Sequence, residues 1–99
     1  MHEVVTINRD GTNIRVWLTA PDYGTANRFA IEHAAFEPGQ ITYVRNIETP
    51  NTCQVAYVSL SELCYGKLSM VDFSCNVPVG ELPEFAAKTV AWFREHWKL

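Results

Sequence analysis

The sequence predicts an α+β fold: one domain, residues 1–99, built on a mostly antiparallel sheet of about five strands in the order ββαβββα, with two helices packed on one face. Three observations predict it. Asp10-Gly11 sits between two β-rich runs, which is a strong short-range hairpin signal. The stretch 81–99 repeats its apolar residues at the helical period. Three further β-rich runs lie between a Pro-Asp helix start and that last helix.

In chain order, the runs EVVTIN and NIRVWLT form the hairpin. A two-residue turn at Asp10-Gly11 pairs Ile7 with Ile14 and Val5 with Val16. That register sends Val5, Ile7, Ile14, Val16 and Leu18 to the helices. Val4, Thr6, Asn8, Asn13, Arg15 and Trp17 go to the opposite face. Pro21-Asp22 then opens a helix running from Tyr23 or Thr25 to Phe36, with Asp22 or Thr25 as N-cap. Ala26, Ala30 and Ala34 make a narrow stripe along it that allows close approach, flanked by Phe29 and Ile31. Glu37-Pro38-Gly39 ends this helix. Residues 41–48 and 53–60 read as an antiparallel pair of strands, in which Arg45 is awkward beside Ile41, Tyr43 and Ile47. Residues 61–67 read as a short helical turn or a loop, and 70–77 alternate as a strand.

In the last helix Leu82, Phe85, Ala86, Thr89, Val90, Phe93 and Trp97 fall on one broad arc, expected to lie across Val5, Ile7, Val16, Val71 and Phe73. Pro83 suits the first turn, and Glu81 and Glu84 complement the positive end of the helix dipole. Trp92 sits at the edge of the arc, where a plain core would tolerate a smaller residue.

A hydrophobic content of 47% with 19% charged residues is that of a folded globular chain. A net charge of −3 with no basic run disfavours nucleic acid as a partner. No apolar run has the length of a membrane span, and the N-terminus has no signal-peptide core. Cys53, Cys64 and Cys75 are an odd set without metal-ligand spacing, which reads as reduced thiols in a cytoplasmic protein. No metal and no cofactor is expected.

The catalytic inventory is thin and leans away from an enzyme. Glycine-rich phosphate loops, G-x-S-x-G, C-x-x-C and H-E-x-x-H are all missing from the sequence. His33 falls near the alanine face of the first helix and His96 beside the apolar arc of the last; both suit partly buried structural roles. A Cys–His pair would require either to converge with Cys75.

With both helices on one face, the second face of the sheet would stay open and carry Val4, Arg15, Trp17 and Val44. That is the surface of a protein-interaction or regulatory module, most simply a symmetric homodimer or a contact with another protein. Residues 61–69 folding over Trp17 within the monomer is the competing account. The alternative function is binding of a small apolar ligand in a pocket lined by Tyr23, Phe29, His33, Trp92 and His96.

Overall fold

Strand β1 (His2–Asn8) sends alternate side chains into two different cores, and the rest of the architecture follows from that. The computed structural model describes residues 1–36, 39–59, 70–73 and 77–96. It contains β2 (Arg15–Ala20), α1 (Tyr23–Phe36), β3 (Gln40–Asn46), β4 (Thr52–Ser59), β5 (Met70–Phe73), β6 (Val77–Pro78) and α2 (Leu82–His96), with a single 3₁₀ turn at Val79–Glu81 before α2. All pairings are antiparallel, in the order β2-β1-β3-β4-β5, and the short β6 continues along β4 beyond the end of β5. An α+β domain with a five-strand antiparallel sheet is therefore as expected.

The two helices, however, lie on opposite faces. Val5, Ile7, Ile41, Tyr43, Cys53, Ala56 and Val58 pack with Val77, Leu82, Ala86 and Val90 beneath α2. Val4, Val44, Val55 and Tyr57 pack with Ala20 and the Ala26, Ala30, Ala34 stripe of α1. The reason lies in the central strands. Successive residues of a strand face opposite ways, and here Val4 to Ile7, Ile41 to Val44 and Val55 to Ser59 are all buried. Such runs need cover on both sides. The alanine stripe allows α1 close approach, as the sequence predicts, and all three alanines are buried.

The hairpin keeps the Val5–Val16 pairing but reaches it differently. Gly11 N–H donates to the Asn8 carbonyl (2.9 Å), and Asn8 N–H donates to Thr12 (2.8 Å). The loop is therefore the three residues Arg9-Asp10-Gly11, with Gly11 at φ 89° completing a type I turn. Asp10 Oδ1 accepts from the Thr12 N–H (3.0 Å) and hydroxyl (2.6 Å), which hold its carboxyl below the ordinary value, the hydroxyl being the larger cause. Asn13, at φ 57°, lengthens the second arm.

A bulge then shifts the register, so that Val4 faces Leu18 while Val5 faces Val16. This corrects the expected sorting of the hairpin. Leu18 joins the α1 core, while Val16 lies beyond the reach of α2 at the sheet edge and is 44% exposed, with Ile14 at 59%. Arg45 is accommodated by Glu3, its cross-strand neighbour, with Nε 3.2 Å from Oε1. The expectations for residues 61–69, Cys64, Cys75 and Trp97 lie outside the described residues, as do those for the Val71 and Phe73 side chains.

Candidate functional site

The residues assigned to an open sheet face divide between core and edge. Val4 and Val44 are fully buried beneath α1 and offer no surface, because α1 occupies the face that was expected to be open. Trp17, carried by the bulge, turns onto the α1 side of the sheet. Its Nε1–H donates to Thr6 Oγ1 (2.7 Å), and its indole lies 4.6 Å from the His33 ring, with the Arg15 guanidinium 3.9 Å from the indole centre. His33 in turn stacks on Phe29 at 6.0 Å. Cover for Trp17 therefore comes from α1 and from Arg15 within one chain, and 37% of the residue remains exposed.

The five residues expected to line one pocket also separate. Tyr23, Phe29 and His33 belong to α1, and Tyr23 lies edge-on to His2, whose Nδ1 is 2.7 Å from Gln54 Oε1. Trp92 and His96 belong to α2, across the sheet. His33 and His96 consequently do not converge, and Cys75 lies outside the described residues. The Cys53 thiol is fully buried in the α2 core, and burial pushes the phenol of neighbouring Tyr43 up. The Tyr43 and Thr42 hydroxyls and His33 Nε2 are buried with no hydrogen-bond partner among the described residues, but they are dispersed over both faces of the sheet. No group of His, Cys, Asp and Glu among the described residues is placed to hold a metal, and no described helix is long and apolar enough to cross a membrane.

One surface does assemble, on the outward flank of α2. The stripe that reaches the sheet is narrower than the arc read from the sequence: Leu82, Ala86 and Val90 are buried and Phe93 partly so. Phe85, expected in the core, is 41% exposed and Trp92 is 50% exposed. Between them runs an open groove of about 260 Å³, lined by Phe85, Lys88, Thr89 and Trp92. Thr89 Oγ1 donates to the Phe85 carbonyl (2.8 Å), so its hydroxyl is satisfied within the helix. Lys88 Nζ lies 3.0 Å from Glu84 Oε1. Two rings brace Trp92: Phe93 meets it edge-on at 5.0 Å, and His96 stacks on it at 4.3 Å. His96 Nδ1 is 2.8 Å from the Trp92 carbonyl; that oxygen can only accept, so Nδ1 carries the proton and Nε2 is left for other contacts. A signal for this flank was present in the sequence. Phe85, Thr89, Trp92 and His96 are spaced i, i+4, i+7 and i+11, a second stripe beside the buried one.

No protein-family model, curated protein or solved structure matches this chain.

Proposed function

We propose that the protein is a small non-enzymatic interaction module of the cytoplasm whose contact surface is the outward flank of α2. The observation that carries this reading is the braced, half-exposed Trp92 facing an apolar groove whose other wall is Phe85. An indole held in place by a stacked imidazole loses little side-chain freedom on binding, and aromatic anchors of this kind dominate protein contacts. The neighbouring charge is already paired within the helix, so a partner seated on the groove need not leave Lys88 or Glu84 uncompensated. Catalysis would require converging acid–base or nucleophilic groups, and His33 and His96 are separated by the sheet.

The test is site-specific photocrosslinking in cells expressing the protein, with a benzophenone amino acid at position 95, exposed one turn from Trp92 so that the anchor stays in place, and, as control, at the exposed Thr19 of β2. Discrete protein adducts from position 95, lost when Trp92→Ala is added, and none from position 19 are expected. Silence at position 95, or equal labelling at both sites, would remove the interaction reading.

A further inference from the structure

We infer that the partner on this flank is a second copy of the chain, its α2 running antiparallel to the first; this rests on the interaction reading above. The flank is self-complementary. From the 3₁₀ turn that precedes α2 onward it presents the exposed Glu81, then Phe85, the Lys88–Thr89 step, Trp92 and His96. A two-fold axis between Lys88 and Thr89 places Phe85 opposite Trp92, and Glu81 opposite His96. Each groove, which has room for a side chain of indole size, then takes the Trp92 of the other copy against its own Phe85. Each end sets a carboxylate beside an imidazole whose Nε2 is not used within its own helix and which, as the imidazolium, donates Nε2–H to it. Lys88, which falls nearest its own symmetry mate, is neutralised by Glu84, so the axis does not bring two uncompensated cations together.

Pairing of copies edge to edge along β2 is blunted by the bulge at Trp17 and by the guanidinium of Arg15.

Sedimentation velocity from low to several hundred micromolar tests the pairing on the full chain. The wild type is expected to pass from monomer to dimer, and Trp92→Glu to weaken association by at least about tenfold with unchanged circular dichroism. His96→Glu and Glu81→Lys should each weaken it. The double variant Glu81→Lys/His96→Glu should return to within about threefold of wild type, an outcome specific to the antiparallel register. A wild type that stays monomeric throughout, a dimer indifferent to Trp92→Glu, or a double variant no better than the worse single would each overturn the inference. Adducts from position 95 to a different protein, alongside a monomeric wild type, would leave the interaction reading standing while sinking the self-pairing.

Discussion

Gly11 closes the β1–β2 loop at φ 89°, a backbone state that costs a residue with a Cβ roughly 1–2 kcal/mol. Space is not the constraint, since a Cβ there would meet Pro83 Cγ at an ordinary 3.5 Å. Gly11→Val is expected to lower the unfolding free energy read from urea titration by at least that penalty, because β-branching adds to it, while Gly11→Asn should lose less. A Gly11→Val protein as stable as wild type would mean the loop has another geometry. The need for glycine was legible in Asp10-Gly11, but the loop length was not: two- and three-residue hairpin loops both favour glycine at this place. What separates them is the lengthening of the second arm at Asn13, which no apolar pattern reports. Trp17 shows the same limit. Parity sent it away from Val16 correctly, yet the bulge that aims it at His33 moved Leu18 to the other core.

At the scale of the elements, α1 is the helix most fully written in the sequence. Its span, its alanine stripe and one of the two caps named for it are those observed. Asp22 Oδ2 accepts from the Thr25 N–H (2.8 Å), and the Thr25 hydroxyl donates back to the same carboxylate. These bonds, the backbone N–H first and the hydroxyl second, hold the Asp22 carboxyl below its ordinary value of 3.8, with His2 adding a smaller pull. A carboxyl lowered in the folded state contributes stability that is present above the unfolded value and is lost as pH falls through the folded one. Asp22→Asn should therefore flatten the acid limb of the stability curve below about pH 4 and leave its shape from pH 5 to 8 unchanged. Thermal melts of both proteins across that range check it; parallel acid limbs would show that the cap carries no linkage. α2 was less legible because its apolar arc is wider than one sheet contact. Two stripes merged into one reading, and nothing in the spacing says that Leu82, rather than Phe85, faces the sheet.

At the scale of the molecule, the misplaced helix had a visible cause. Val4-Val5-Thr6-Ile7, Ile41-Thr42-Tyr43-Val44 and Val55-Ala56-Tyr57-Val58 do not alternate, and unbroken runs of this kind mark strands covered on both faces. The clean alternation of the hairpin register dominated the sequence reading, and the hairpin's second strand is the exposed edge, where that signal says least about the centre. Covering both faces removes the open sheet surface and leaves large apolar groups to meet solvent at the hairpin edge, where Ile14 and Val16 are exposed, and on the outer sides of the helices. That division of labour within α2 can be measured. Leu82 is fully buried in the α2 core, so Leu82→Ala should cost about 2–5 kcal/mol of unfolding free energy, through lost burial and a residual cavity. Trp92 contacts only its helix neighbours Phe93 and His96 among the ring contacts described, so Trp92→Ala should cost about 1 kcal/mol or less in dilute solution. Its effect should instead appear in crosslinking and sedimentation, which read the surface and not the core. Urea titrations of the two variants at low protein concentration decide the matter. A Trp92→Ala loss comparable to that of Leu82→Ala would make the indole a core residue and take away the anchor on which the interaction surface depends.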